Sequence, residues 1–393
     1  MGYLKRSDAA GGGTQGTLPA ARSAGFRPAR STALERCVVV SNIPTPYRDP
    51  VFERLPQQRF TVVYCARAEA NRQWQLPAPR YAHRFLKPRV HARNDGFSFV
   101  HNNPDLWRVL SELRPSVVVT SGYNPTHLYA FAWALTHGAR HVVMSDGTAA
   151  SEASLTWKHR LARRTILARS QACIAASRAG MDLFRAYGIP TSATFQSHLC
   201  ADNERFRPAA GTTPRKYDVM FAGQLHERKL PGLFVDVCAE LVARRGRCRA
   251  LIIGDGPERQ TVLDRLSAAG VDWHYPGFVQ QRELPAMYAS ARMLLFTTRL
   301  DPWGVVANEA MAAGTPVVTT PYAGSAGELV VDGLTGFVRP ADVGAWADAA
   351  CQLLDEPRTW RTLSECALRH VASYNYDAAA RGIVAACDHA LRA

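Results

Sequence analysis

With 393 residues the chain can hold two domains of ordinary size, each with its own core. An apolar content of 47% and a charged content of 20% fit a globular protein, and no apolar run reaches the ~20 residues of a bilayer-spanning helix. The formal charge of +14 limits the partners that could use it to nucleic acid, an anionic membrane face or phosphorylated substrates; no nucleic-acid motif accompanies it, so nucleic acid is not expected.

Residues 1–33 are rich in Gly, Ala and Arg and hold no apolar signal-peptide core. They are expected to form a disordered basic tail on a cytoplasmic protein. The Met-Gly start is no myristoylation signal, because Arg6 stands where Ser or Thr is needed, with Lys5 beside it. From 34 to 202, short β-branched runs alternate with helix-length segments. Strands are predicted over 37–43, 60–65, 116–120, 141–145, 172–175 and 194–198, with helices over 125–136, 155–168 and 178–187. Val-rich strands separated by helices predict a parallel sheet covered on both faces.

The helix over 155–168 carries the densest basic cluster, Lys158, Arg160, Arg163 and Arg164. Positions 160, 163 and 164 share one face, with Trp157 and Leu161 beside it. A solvated basic face and a surface for anionic lipid are equally open readings of this cluster.

Polar, Pro/Gly-rich residues interrupt the alternation over 199–216, and 203–215 reads as a linker. A second series follows over 216–375, with strands predicted at 217–222, 250–253, 272–275, 293–297 and 316–320 and a helix at 343–354. A last helix covers 376–391. Two α/β halves joined by a hinge put a ligand cleft between them, at the carboxyl ends of the strands. The nine cysteines form no C-x-x-C pair and have no His at metal-ligand spacing, which fits reduced, buried thiols and no structural zinc.

Each strand end of the second half carries chemistry. Gly223-Gln224 and Arg228-Lys229 follow the first strand, and Gly254-Asp255-Gly256-Pro257 turns into a helix after the second. The glycines there allow close backbone approach to a ligand, although such turns are also common structural devices. Phe278 and Val279 follow the third strand, and a plain β-turn with a core Phe competes with a ligand role. The run 299–340 is the richest: Asp301 in a loop, Glu309 eight residues on in a short helix, a buried strand, then a Gly-rich turn and Glu328. Acids beside an apolar core are costly without partners, so this pair invites a ligand with hydroxyl groups. The helix start near Gly304 adds unpaired N–H groups that suit phosphate or sugar oxygens. Hydroxyls and phosphate together suggest a nucleotide sugar.

This run resembles the signature of the retaining glycosyltransferases of family 4, which have the GT-B fold of two Rossmann-like domains facing an interdomain cleft. Glu309-Ala310-Met311-Ala312, Gly314-Thr315-Pro316-Val317, Glu328 and Asp332-Gly333 with Gly336 carry the likeness, which is strong over roughly 215–375. Asp301 stands where the family usually has Glu, and Trp303 where it usually has Phe. Gln224 replaces a family Arg, with Arg228 next to Lys229 as a substitute cation.

The resemblance implies that Asp301 binds the transferred sugar, Lys229 and Arg228 or Gln224 the diphosphate, and Glu309 the ribose diol. Gly223, Gly254, Phe278, Val279 and the N–H groups of Gly304, Val305 and Val306 would complete the donor site, and His127 would stand beside the sugar. Pro46, Tyr47 and Arg48, with Asp146, would face the acceptor. The last helix would cross back to the first domain, and the basic face would dock on lipid headgroups. The implied reaction moves a sugar, with retention, from a nucleoside-diphosphate sugar to a glycan or lipid-linked hydroxyl. No D-x-D motif is present, so neither a metal nor another cofactor is expected. A nucleotide-sugar 2-epimerase of the same architecture and a non-catalytic carbohydrate or nucleic-acid binder are the rival readings.

Overall fold

The computed structural model describes residues 35–93, 98–153, 155–208 and 214–393. The predicted tail and residues 209–213 of the predicted linker lie outside them. The first half builds on β1 (Cys37–Ser41), β2 (Phe60–Tyr64) and β3 (His83–Phe85). A hairpin of β4 (Val90–Ala92) and β5 (Phe99–His101) follows, then β6 (Val117–Thr120), β7 (Arg140–Ser145), β8 (Ala172–Ala175) and β9 (Thr194–Gln196). Seven of these strands form one parallel sheet in the order β3-β2-β1-β6-β7-β8-β9; β4 and β5 pair antiparallel outside it. β1, β6 and β8 are buried throughout, which explains their unbroken Val, Ile and Ala runs.

The second half contains β10 (Val219–Ala222), β11 (Arg249–Ile253), β12 (Asp272–Gly277), β13 (Leu294–Phe296), β14 (Val317–Thr319) and β15 (Gly336–Val338). They form a second parallel sheet in the order β12-β11-β10-β13-β14-β15. In both sheets the order reverses beside the first strand, β1 or β10, and at that point a crevice opens beyond the strand ends.

Three devices, among other contacts, join the halves. The last helix, Tyr376–Arg392, buries Ala379, Ile383, Ala386 and Ala390 in the core of the first sheet. Its acids bond to that half through Arg54–Asp377 at 3.0 Å and Arg59–Asp388 at 2.6 Å. The predicted linker is partly structured: Asn203–Phe206 is a short helix, Phe206 is buried with the second-half core, and Asn203 Nδ2 donates to the carbonyls of Val371 and Tyr374. Glu328 is the third device. Its carboxylate accepts the Arg178 N–H at 2.6 Å and Gln196 Nε2 at 2.7 Å, both from the first half.

Candidate active site

The Gly223–Lys229 loop leaves β10, and the Arg299–Gly304 loop leaves β13 beside it. Thr297 and Thr298 hydroxyls and the Arg299 N–H bond to the carbonyls of Lys229 and Arg228, so the loops are laced together. This brings Lys229 Nζ onto Asp301 Oδ2 in a largely buried ion pair, while Asp301 Oδ1 accepts the Trp303 N–H at 3.1 Å. Burial alone would push the Asp301 carboxyl up. The Lys229 ammonium, the Trp303 N–H and the charge of Arg228 outweigh it and hold the carboxyl below its ordinary range.

Gly304 follows with φ of +91°, and a Cβ there would lie 2.3 Å from the Phe296 ring, so the turn into the helix Val305–Ala312 requires glycine. Val305 and Val306 form the first turn, whose N–H groups fall outside the helix's own ladder. Trp303 is fully buried and donates Nε1 to Asn308 Oδ1 at 2.8 Å, one turn into the same helix. Arg215 fixes the other end. Its guanidinium donates to the carbonyls of Ala291, Ala313 and Gly314 and to Thr315 Oγ1. A cation suits the negative end of that helix, so the last residue of the predicted linker is a clamp on the helix that carries Glu309.

Glu309 is 7% exposed and accepts the Tyr288 hydroxyl at 2.7 Å. Burial raises its carboxyl to about 7, and hydrogen bonds from Tyr288 and Gln281 oppose the rise only in part. Glu309 and Val305 line a cavity of about 340 Å³ between the halves. Thr45, Pro46, Tyr47 and a loop over 75–79 form the opposite wall. Gln280 spans the gap: the Gln75 N–H donates to its Oε1 at 3.2 Å, and its Nε2 donates to the Gln73 carbonyl at 3.1 Å.

A smaller cavity of about 160 Å³ lies on the first half, at the ends of β1, β6 and β7. Arg48 and Asp146 meet there at 2.9 Å, and Arg48 also donates to the Ser197 carbonyl and hydroxyl. Tyr47 lines both cavities.

Four expected sites sit differently from the sequence reading. His127 is 2% exposed and packs against Gly122; burial drives its imidazole down to about 3, and it lines neither cavity. Gly254 does make a close backbone approach, but to the chain itself: a Cβ there would lie 1.8 Å from the Gly223 carbonyl oxygen. Val279 is buried in the core of the second half, and the residues after it, Gln280 to Arg282, reach the large cavity instead. Arg163 leaves the basic face to pair with Glu152 at 2.7 Å and stack on Tyr123. Gly223, Gln224 and Phe278 are half-buried and Arg228 is exposed. Gly223, Arg228, Lys229 and Asp301 cluster at the loop junction, while Glu309 and Val305 face the cavity. Tyr288, Arg215, Glu69, Arg72, Trp74 and Gln280 were not foreseen, because their roles arise from contacts distant in sequence. All nine cysteines are free thiols, seven of them buried. No group of three His, Cys, Asp or Glu residues gathers at metal-binding distance among the described residues.

Two parallel α/β sheets, carboxyl ends facing one cleft, define the GT-B class of fold. The chain belongs to the group 1 glycosyltransferases: residues 216–356 match the model of "Glycosyl transferases group 1", and residues 44–195 match that of a "Glycosyl transferase 4-like domain". Among curated relatives, D-inositol 3-phosphate glycosyltransferase 2 of Catenulispora acidiphila is 30% identical over 221 residues, 51% of each chain. Alpha-D-kanosaminyltransferase of Streptomyces kanamyceticus is 29% identical over 165 residues, 41% of this chain and 42% of that one. The chain thus matches about half the length, or less, of these relatives. Among solved structures, Anabaena HepE in complex with UDP superposes with a TM-score of 0.69 at 15% identity, covering 89% of this chain and 98% of that one. Sucrose-phosphate synthase from Thermosynechococcus elongatus superposes at 0.66 and 16% identity, covering 89% and 97%.

Proposed function

We propose that this chain is a retaining glycosyltransferase that moves a sugar from a nucleoside-diphosphate sugar to a hydroxyl acceptor, without a metal. The observation that carries the reading is one loop–helix junction. It joins the Lys229–Asp301 ion pair, the Gly304-led helix start and Glu309 on the wall of the interdomain cavity. The leaving diphosphate develops charge as the bond to the sugar weakens, and Lys229, Arg228 and the first-turn N–H groups supply positive groups to stabilise it. Asp301, held ionised, accepts sugar hydroxyls, and the two oxygens of Glu309 suit the ribose diol. The second sheet would serve the donor and the first, through Pro46, Tyr47, Arg48 and Asp146, the acceptor. Anabaena HepE, solved with UDP and with UDP-glucose, supports a uridine nucleotide as the first donor to try.

The acceptor is read as a glycan or lipid-linked saccharide, and the protein as cytoplasmic and peripheral to an anionic membrane face. The side chains that support docking are Trp157 and Leu161, 68% and 56% exposed, with Arg160 and Arg164 on the same surface. No helix among the described residues is long and apolar enough to cross a membrane.

The test is thermal stabilisation by UDP, GDP, ADP and dTDP compounds, followed by transfer assays. A ligand at ~100 times its dissociation constant adds about 2.7 kcal/mol. A flat response to every nucleotide overturns the reading. The anomeric configuration of the product tests retention, and full activity in a chelator tests metal independence. Interconversion of free nucleotide sugars without transfer would make the chain an epimerase instead.

A further inference from the structure

We infer that the small cavity on the first half selects an acceptor ring that carries hydroxyl or amino groups and no phosphate. This rests on the transferase reading above. The cavity lies at the carboxyl ends of β1, β6 and β7, and its volume is about the share of five liquid waters, room for one sugar-sized ring.

Both guanidiniums on its wall stand beside a carboxylate, although the buried Nε of Arg72 has no hydrogen-bond partner. Arg48, 6% exposed, spends its two terminal nitrogens on Asp146, at 2.9 Å, and on the carbonyl and hydroxyl of Ser197. Arg72 lies 3.8 Å from Glu69 and over the Trp74 ring at 4.9 Å. Glu69 also meets His101 Nε2 at 3.0 Å. The two arginines and two carboxylates surround Tyr47, whose hydroxyl burial pushes up, and their formal charges cancel.

A phosphate entering this cavity would meet the carboxylates of Asp146 and Glu69, and the two cations on the wall already stand beside those carboxylates. A hydroxylated or aminated ring has no such conflict. Asp146 keeps Oδ2 open, its side chain 42% exposed, and can accept from a hydroxyl or pair with an ammonium. The hydroxyl of Ser121 and the amide of Asn42 line the same wall. Trp74, edge-on to Tyr47 at 5.9 Å, gives the C–H face of a ring an apolar surface. The net charge of +14 therefore does not extend to this cavity.

The test measures binding to the full chain, saturated with whichever nucleoside diphosphate stabilises it. The probes are matched pairs: glucosamine and glucosamine 6-phosphate, myo-inositol and inositol 1-phosphate, and glucosamine and glucose. The unphosphorylated member of each phosphate pair should bind at least tenfold tighter, and transfer should follow the same order. Asp146→Asn should cut the preference for glucosamine over glucose at least fivefold while nucleotide affinity stays within twofold. Should loss of the Arg48 partner unfold that variant, Glu69→Gln and the wild-type pairs carry the same comparison. Preference for a phosphorylated member, an amine preference unmoved by the variants, or no binding of any probe to the nucleotide-saturated chain overturns the inference alone. Failure of every nucleotide to stabilise the chain overturns the transferase reading itself, and this inference with it.

Discussion

On the second-half face of the cleft, the acids are displaced in opposite directions from ordinary titration. Asp301 is held below its usual range by Lys229 against the pull of burial, and Glu309 is raised to about 7 by burial, which its neutral partners Tyr288 and Gln281 oppose only in part. On the first-half face, Arg48 with Asp146 and Arg72 with Glu69 cancel one another. The first arrangement stores charge for a ligand to complete. The second fixes shape and hydrogen-bonding pattern and leaves little net field. On the proposed function, the first would take the anionic donor and the second an uncharged or aminated acceptor.

Breaking the stored charge should have the largest effect. Lys229→Ala leaves Asp301 buried and unpaired, which should cost about 3–5 kcal/mol in denaturant unfolding. It should also lower kcat by about a hundred- to a thousandfold. A double variant, Lys229→Met with Asp301→Leu, should recover most of the stability and none of the turnover. Recovery of turnover would mean that the pair is only structural.

Glu309 sharpens the same contrast through pH. Its folded carboxyl titrates at about 7 and an unfolded one near 4.3, so the folded chain holds the proton longer. Its favourable contribution is therefore complete below about pH 4 and lost as pH rises through about 7, a difference of about 4 kcal/mol at most. Glu309→Gln should remove this slope, gaining on the wild type in denaturation curves between about pH 5 and about pH 8. Nucleotide binding should run the other way, because a ribose diol donates to the ionised carboxylate. Near pH 6, calorimetry in buffers of different ionisation enthalpy should detect proton release on binding, and Glu309→Gln should abolish it. An unchanged proton count would remove Glu309 from the ribose site.

The grouping proposed as the donor face was legible in the sequence because its parts are local. Asp301, Gly304 and Glu309 sit on one loop and one helix, and the fold follows from alternating Val-rich strands and helices. What escaped was whatever distant parts of the chain supply. Arg215 looks like the end of a linker until the helix end it caps is in place, and Tyr288 looks like an ordinary helix residue until Glu309 faces it. His127 was misplaced because a His in the first turn of a helix after a strand can face the cleft or the sheet, and only packing against Gly122 decides. Glu69, Arg72 and Trp74 lie in a loop with no periodicity. β3 and β15 are sheet-edge strands and β4 and β5 pair outside the two sheets, so none of the four carries the buried Val-rich run that marks the central strands.

Glu328 links the two faces, and its effect should be intermediate. Glu328→Ala orphans the Arg178 N–H and Gln196 amide, which should cost about 1–3 kcal/mol. The loss should raise KM for donor and acceptor together, since the contact holds one half against the other. A rise for one substrate alone would assign Glu328 to that substrate's site.

The smallest effect should come from the basic helix, Trp157–Leu167, remote from both cavities. Arg160 and Arg164 are exposed beside Trp157 and Leu161, whereas Arg163 is committed to Glu152 and Tyr123. The cluster that reads as four equivalent cations in sequence therefore divides by packing. Arg160→Ala with Arg164→Ala should change stability by less than about 0.5 kcal/mol and leave turnover on soluble acceptors unchanged. The same variant should lose sedimentation with anionic vesicles, at about 1 kcal/mol per cation removed from the lipid surface. Arg163→Ala should do the opposite, destabilising the fold and sparing vesicle binding. Equal vesicle binding by wild type and the double variant would return this face to solvent.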